Sequence, residues 1–414
     1  KVLQEQLENP DCRIIITTIQ KLDLFIKRNK KHEVYNKQVV LVFDECHRSQ
    51  FGEMHSRIVK SFKKYYIFGF TGTPIFAVNA PSGGHAILKT TEQAFGDRLH
   101  TYTIVDAIND GNVLPFRIDF VDTMKIKEGI EDKKVWAIDK KKALEAPERI
   151  REIANYILEH FDQKTKRNIH YSHRGQRVAG FNSIFAVSDI PMAMKYYAEF
   201  KKQLKERNRK LNIALIYSYN PNEEEVDILE DESFETDKLD KTARDFLEDA
   251  IADYNKVFKT NFDTSGQFEN YYHDISRRVK NREIDLLIVV NMFLTGFDAT
   301  TLNTLWVDKN LRQHGLIQAF SRTNRILNSV KTFGNIVCFR DLKEEVDKAI
   351  ALFGDKDAKS IILLKTYDEY YNGYEEKGKY YPGYREMIEE LECSFPLGQP
   401  IVGEEKQKYF INHY

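Results

Sequence analysis

Asp44 and Glu45 are adjacent carboxylates at the end of an apolar run, Val39 to Phe43. One carboxylate can hold Mg²⁺, usually through water. Its neighbour can orient or deprotonate an attacking water. Hydrolysis of a nucleoside triphosphate needs that pair. The same stretch, Val-Val-Leu-Val-Phe-Asp-Glu-Cys-His-Arg-Ser-Gln, also fits a strand-end turn with two solvated acids. A second group is Gln318, Arg322 and Arg325. The arginines are three apart and Gln318 stands four before Arg322, which on a helix puts all three near one face. Two guanidiniums aimed into a cleft can neutralise the charge that develops during phosphoryl transfer, an effect worth ~10³ to 10⁵ in rate. A basic, solvated helix face is the plainer alternative.

Positioning such groups calls for parallel sheets. Residues 39–43 are apolar without alternation, the pattern of a strand buried on both faces. Ligands of open α/β sheets sit at the carboxyl ends of strands, where Asp44 and Glu45 fall. Upstream, 13–18 reads as a short apolar strand and 27–31 as a basic loop. Downstream, 53–64 has helical spacing. Residues 66–70 read as a strand closed by the tight turn Thr71-Gly72-Thr73-Pro74. A short helix at 103–110 ends at Gly111.

A second α/β pattern begins near Asn182, after an amphipathic helix at 147–161 that carries Ile150, Ile153, Ala154, Ile157 and Leu158 on one face. Strands are expected at 183–187, 212–217, 284–290, 304–307 and 335–339, and helices at 191–207, 241–259, 268–280 and 312–325. The 284–290 strand runs into Asn-Met-Phe-Leu-Thr-Gly-Phe-Asp, residues 291–298. Residues 170–177 hold two His and two Arg and read as a loop rather than a metal site. The charge-dense 125–142 and the acidic 221–240 read as surface excursions. After Arg340 the chain is helix-rich, with tyrosines gathered between 367 and 384. Packing between helices is the preferred reading for them, over stacking on nucleic acid.

A chain of 414 residues is too long for one ordinary core. Hydrophobic content of 42% and charged content of 30% fit a globular protein. No apolar run reaches the length of a membrane span, and the start has no signal-peptide core. Four scattered cysteines lack metal-ligand spacing and fit reduced thiols, hence a cytoplasmic location. A net charge of −1 is neutral on nucleic-acid binding, which local basic patches could still support. Candidate patches are 27–31, Arg277 with Arg278, and 309–312.

The order of the signals narrows the reading. Asp-Glu-Cys-His, then Thr-Gly-Thr-Pro, Thr-Gly-Phe-Asp and Gln-x-x-x-Arg-x-x-Arg resemble a superfamily 2 helicase or translocase. The spellings Val-Phe-Asp-Glu-Cys-His-Arg-Ser-Gln-Phe-Gly, Phe-Gly-Phe-Thr-Gly-Thr-Pro-Ile-Phe and Gln-Ala-Phe-Ser-Arg-Thr-Asn-Arg further resemble the motor (R) subunit of type I restriction–modification enzymes. The resemblance covers nearly the whole chain. It implies an α/β fold with two RecA-like parallel-sheet motor domains, the first incomplete, followed by a helical segment. The expected bounds are 1–115, 116–352 and 353–414. It implies ATP and Mg²⁺ as cofactors, with Asp44 holding the metal and Glu45 activating water. His47, Thr71, Gly72 and Thr73 would couple nucleotide state to the DNA track. Thr295, Gly296 and Asp298 would approach nucleotide and DNA. Gln318, Arg322 and Arg325 would contact and stabilise the triphosphate. Thr17, Thr18 and Gln20 would touch the DNA backbone. The partners implied are double-stranded DNA and the methyltransferase and specificity subunits of a restriction complex. Ala319 departs from the pattern, since many helicases carry a basic residue there.

A phosphate-binding Gly-x-x-x-x-Gly-Lys-Ser/Thr is missing from the 414 residues; the near match from Gly373 to Lys379 ends in Tyr380. The resemblance therefore implies a chain that lacks the family's P-loop and nuclease domain, both expected upstream, and hydrolyses ATP poorly by itself. Another superfamily 2 motor, such as a type III restriction subunit or an RNA helicase, is the first alternative. A non-catalytic interaction module with a motor fold is the second.

Overall fold

The computed structural model describes residues 2–48, 53–76, 90–123, 141–218, 236, 239–353, 362–365, 367–376 and 378–413. The expected excursions at 125–142 and 221–240 lie almost wholly outside these. The expected α/β class holds. Strands β1 (Gln38–Phe43) and β2 (Lys64–Gly69) pair in parallel, Gln38 opposite Lys64 through Phe43 opposite Gly69. Helices Ile19–Arg28 and Glu53–Ser61 cover one face of this small sheet, packing Phe25, Ile26, Ile58 and Phe62 under it.

The other face is open, which corrects the two-sided burial expected of 39–43. Val40 and Val42 are 59% and 62% exposed. Tyr66, Phe68 and Phe70 lie exposed as well. An unbroken apolar run shows that a strand tolerates burial on both faces; helices are needed to supply it. Residues 13–18 likewise form no strand. Ile14 and Ile16 are 84% and 93% exposed, and an apolar stretch without a partner strand has nowhere to place its backbone donors and acceptors but water.

The larger sheet has six strands: β3 (Phe116–Phe120), β6 (Asn182–Val187), β7 (Ile213–Ile216), β8 (Leu286–Val289), β9 (Leu302–Asp308) and β10 (Gly334–Cys338). Their order is β3-β10-β9-β6-β8-β7, every pairing parallel. Strands β6, β8, β9 and β10 are buried along their whole length. Helices Pro147–Lys164, Ile190–Glu206, Lys241–Phe258 and Phe268–Lys280 seal them with apolar faces led by Leu158, Phe200, Leu247 and Ile275. The chain passes from β8 to β9 across the intervening β6. The connection starts at the carboxyl edge of the sheet, and such reversals of strand order are where α/β sheets open a crevice for ligands.

Between the sheets' helices, 170–177 is a hairpin rather than a loop. Strands β4 (His170–His173) and β5 (Gln176–Ala179) pair antiparallel. Arg174 and Gly175 turn it with φ of 50° and 77°, the left-handed pair that a two-residue hairpin needs. Past the helix Lys343–Phe353, a second hairpin, β11 (Tyr374–Glu376) with β12 (Lys379–Tyr381), interrupts the helical segment. The expected packing of tyrosines between helices holds for Tyr370 and Tyr371, which meet Tyr384 across the helices Tyr367–Asn372 and Tyr384–Ser394, and not for the tyrosines of the hairpin. Tyr374 stacks on Tyr381 and Tyr370 on Tyr384, with Tyr370, Tyr380, Tyr381 and Tyr384 exposed.

Candidate active site

Asp44 and Glu45 leave β1 at its carboxyl end, and Thr71 to Thr73 leave β2 beside them. The backbone is locked there by two hydrogen bonds: Phe70 N–H donates to the Phe43 carbonyl (2.8 Å) and Cys46 N–H to the Phe70 carbonyl (3.0 Å). Glu45 is held between them at φ 47°, a left-handed conformation that costs a non-glycine residue roughly 1–2 kcal/mol. Strain of that kind collects at functional sites, where surrounding bonds hold it in place. The Cys46 side chain is buried, and burial pushes its thiol up to about 12, so it is a structural anchor and not a nucleophile. Gly69 must be glycine: a Cβ there would stand 2.9 Å from the Cys46 sulfur and 2.8 Å from the Phe95 ring.

Both carboxylates are exposed. Asp44 Oδ1 accepts from the Glu45 N–H (3.0 Å). Among the described residues no group of three His, Cys, Asp or Glu side chains could hold a metal ion. A single exposed carboxylate suits Mg²⁺, which takes one or two carboxylates and fills its shell with water and phosphate oxygens. The donor set fits a magnesium–nucleotide and does not fit a protein cage.

His47 is the hub. It is buried, and its Nδ1 lies 2.7 Å from Thr71 Oγ1 and 3.5 Å from Glu45 Oε2. Its Nε2 lies 3.0 Å from the Gln318 Nε2, whose amide also donates to Thr73 Oγ1 (3.0 Å). With the amide in this orientation His47 Nε2 accepts, so the proton of a neutral ring sits on Nδ1 and points at Thr71 and Glu45. Thr71 Oγ1 also accepts from the Thr73 N–H (3.0 Å), which fixes the turn. Gln318 comes from the helix Gln313–Phe320, which follows β9 of the large sheet. Five side chains from the two sheets thus converge: Glu45, His47, Thr71 and Thr73 from the small one, Gln318 from the large.

The arginines follow a different geometry from the one expected. The helix stops at Phe320, so Arg322 and Arg325 do not share a helix face with Gln318. The chain closes in tight turns, Arg322 N–H to the Ala319 carbonyl (3.2 Å) and Thr323 N–H to the Phe320 carbonyl (2.9 Å). Packing forces the stop. Gly334 at the start of β10 presses on Thr323, and Asn324 accepts from the Leu114 N–H. Arg322 nonetheless returns to the site. Its Nε donates to the Gln318 carbonyl (2.9 Å) and its Nη1 to the Phe297 carbonyl (2.7 Å). Arg325 Nε stands 3.4 Å from Asp298 Oδ1, close enough for an ion pair but not aligned for a hydrogen bond. The loop that carries Thr295, Gly296 and Asp298 is thereby tied to both arginines. Thr295 is buried, whereas Gly296 (φ 68°) and Asp298 reach solvent. Gly72 has open space around it.

Thr17, Thr18 and Gln20 sit where the helix Ile19–Arg28 begins, and Thr18 Oγ1 caps it by accepting from the Lys21 N–H (3.3 Å). Of the basic patches, Arg277 and Arg278 are ion-paired with Asp274 and Glu283, and Lys309 is buried with Nζ on the Ser188 carbonyl (3.2 Å). Two residues at this centre carry no motif signal. His314 packs its ring on His47, and Lys331 is buried with Nζ on the carbonyls of Thr300 (2.8 Å) and Leu302 (2.7 Å). Burial lowers Lys331 to about 7. His314 was within reach of pattern reading, one helical turn before Gln318; Lys331 was not.

Two known families match this chain in order along its length. Residues 1–149 match the family described as SWI2/SNF2 ATPase, and residues 179–341 match type I restriction enzyme subunit R domain 3. The type I restriction enzyme SauCOLORF180P endonuclease subunit of Staphylococcus aureus is 40% identical over 420 residues, covering 100% of this chain and 42% of the relative. The SsaAORF53P endonuclease subunit of Staphylococcus saprophyticus is 42% identical, covering 89% of this chain and 38% of the relative. A solved fragment of an HsdR subunit from Vibrio vulnificus aligns with a TM-score of 0.47 at 16% identity, over 76% of this chain and 46% of that one. The chain spans about two-fifths of the length of the curated relatives it matches, 42% and 38%. Among the described residues no helix is long and apolar enough to cross a membrane. With 40% identity from end to end, and an ATPase family match followed in chain order by a restriction-subunit one, this chain is homologous along its whole length to part of the type I restriction enzyme endonuclease subunits.

Proposed function

We propose that this chain carries part of the ATP-hydrolysing, DNA-translocating centre of a cytoplasmic restriction subunit, which works on double-stranded DNA with methyltransferase and specificity subunits and cleaves unmodified DNA, and that by itself, without a phosphate-binding loop among its residues, it hydrolyses ATP poorly. The observation that carries the reading is the bridge from Gln318 to His47 and Thr73. It spans the two sheets and ends 3.5 Å from the Glu45 carboxylate. A bridge of that kind lets the approach of one sheet to the other set the position of a general base.

The residues take these parts. Mg²⁺, when bound with ATP, supplies charge neutralisation at the phosphates, and Asp44 is the carboxylate that would hold it. Glu45 orients the attacking water and accepts its proton. His47 presents its Nδ1 proton toward Glu45 and Thr71, which orients that carboxylate. Gln318 reports the position of the second sheet. Arg322 and Arg325 stabilise charge on the triphosphate, and Arg322, bound to the Phe297 carbonyl, links that task to the loop 295–298. Gly72, Gly296 and Asp298 stand at the exposed rim, suited to ligand approach.

The test is Glu45→Gln in the full-length protein with linear duplex DNA. Loss of the base at unchanged shape lowers DNA-stimulated ATP turnover by about 10² to 10⁴ while ATP still binds. Turnover within threefold of wild type would sink the reading and favour a non-catalytic module. Stimulation by RNA in place of DNA would favour the other superfamily 2 motors.

A further inference from the structure

We infer that His314 is a positioning residue for the hydrolysis centre, and that it ties the Thr71–Pro74 turn to the helix Lys343–Phe353. The assignment rests on the reading of Glu45 and His47 given above.

His314 and Gln318 lie four apart on the helix Gln313–Phe320, so they project from one face. Gln318 grips His47 and Thr73. His314 holds the next residue of the same turn, its Nε2 lying 3.2 Å from the Pro74 carbonyl. A carbonyl only accepts, so His314 Nε2 carries a proton and donates it. The His314 ring also lies parallel to the His47 ring, centroids 5.9 Å apart and planes 15° apart. Its second aromatic contact is Phe353, the last residue of the helix Lys343–Phe353, edge-on at 5.1 Å and 61°. His314 is buried.

Two consequences follow from this geometry. The last two residues of the turn, Thr73 and Pro74, are held by two side chains of one helix face, so they cannot shift along that face without breaking both hydrogen bonds. The hub imidazole also has the His314 ring parallel beside it, so His314 lies against the hub as well as holding Pro74. Because His314 is itself wedged by Phe353, a movement of the helix Lys343–Phe353 reaches His47, and through it Glu45, by direct contact. That supplies a physical route from the segment following the large sheet to the base, with one side chain as the joint.

Full-length protein with saturating linear duplex DNA is assayed for ATP turnover, with melting temperature as the check on folding. His314→Ala is expected to lower kcat roughly 10- to 100-fold, the scale of a small misplacement of a catalytic group. The KM for ATP stays within about twofold, since His314 does not touch nucleotide. His314→Phe keeps the ring and loses the donor; His314→Gln keeps a donor and loses the ring. Each is expected to recover part of the loss. Combining His314→Ala with Gln318→Ala should cost no more than Gln318→Ala alone, because both act on one turn. Wild-type kcat in His314→Ala, a change confined to KM, or fully additive losses would each overturn the assignment. Glu45→Gln runs alongside. Retained turnover there overturns the hydrolysis reading and the coupling with it, whereas its loss with His314 variants at wild-type rates overturns only the role of His314.

Discussion

The small and large sheets present the same kind of strand to solvent and core, with opposite results. Val39 to Phe43 and Leu286 to Val289 are both unbroken apolar runs in parallel pairings. In the large sheet every residue of β8 is buried; in the small one β1 alternates and shows Val40 and Val42 to solvent. The difference lies in what covers each strand. Helices seal β8 and its neighbours within one continuous core, whereas the helices packed under β1 reach one face. Strand pattern therefore reports capacity for burial, and partners decide how much of it is used. The site draws its base from the smaller sheet of this chain and its glutamine and arginines from the larger.

The ion pairs give the largest contrast. Asp308, at the end of β9, is fully buried between Arg149 (2.7 and 3.0 Å), Arg340 (2.6 Å) and the Tyr196 hydroxyl (2.7 Å). Burial alone would raise its carboxyl, but the hydrogen bonds of Arg149 and the charges of both arginines outweigh it and hold it below the usual range. Asp308→Asn strands two guanidiniums in the interior and should cost about 3–5 kcal/mol. Asp23 in the small sheet's layer is itself buried, but its partners Arg57 and Lys27 are partly exposed and can turn to water, so Asp23→Asn should cost less than Asp308→Asn, on the order of 1 kcal/mol. Denaturant midpoints, followed by the emission of the buried Trp306, check the first. Equal costs would break the comparison. Asp308 also sets a pH dependence. Its stabilisation is complete above the carboxylate's unfolded value near 4 and is lost as pH falls below it through the depressed folded value.

The strands themselves give the next contrast. Ile288→Ala, in the middle of β8, opens a cavity in a sealed core and should cost about 2–5 kcal/mol. Val42→Ala, on the open face, should stay within about 0.5 kcal/mol. If chemical denaturation finds Val42→Ala as costly as Ile288→Ala, that face is covered in solution and the asymmetry is lost.

What could be read from the residues follows the same divide. The strands 182–187 and 286–289, the helices around them and the carboxylates after β1 were legible because apolar periodicity and strand-end chemistry are local. The end of the helix at Phe320 was not. Gln318 to Arg325 keeps helical spacing, and the stop comes from Gly334 and Leu114, distant in sequence, meeting Thr323 and Asn324. Residues 13–18 show the converse failure: a run rich in Ile and Thr suits a strand, but it pairs with neither β1 nor β2 and stays exposed. The hairpin at 170–179 was hidden because Arg174 takes the left-handed conformation without being Asn, Asp or Gly. His314 lacked only the idea that a motif helix has two contacts per face.

A smaller effect, and a stabilising one, is expected under the base itself. His55, on the helix Glu53–Ser61, is buried beside Phe43 and Phe95, and neither ring nitrogen has a hydrogen-bond partner among the described residues. Burial lowers its pKa, so the folded chain resists the proton that the unfolded chain accepts near pH 6.5. Below that value the unfolded state binds more protons, and stability falls as pH falls. His55→Phe keeps a ring between Phe43 and Phe95 and removes the two orphaned nitrogens. It should stabilise the small sheet's layer by on the order of 1 kcal/mol at neutral pH. The gain should widen as pH drops from 7 to 5, because the variant has no proton to refuse. Thermal melts of both proteins across that range check it. A gain that does not change with pH would mean that the imidazole finds a partner in solution, and that the small sheet is better satisfied beneath its base than its open upper face suggests.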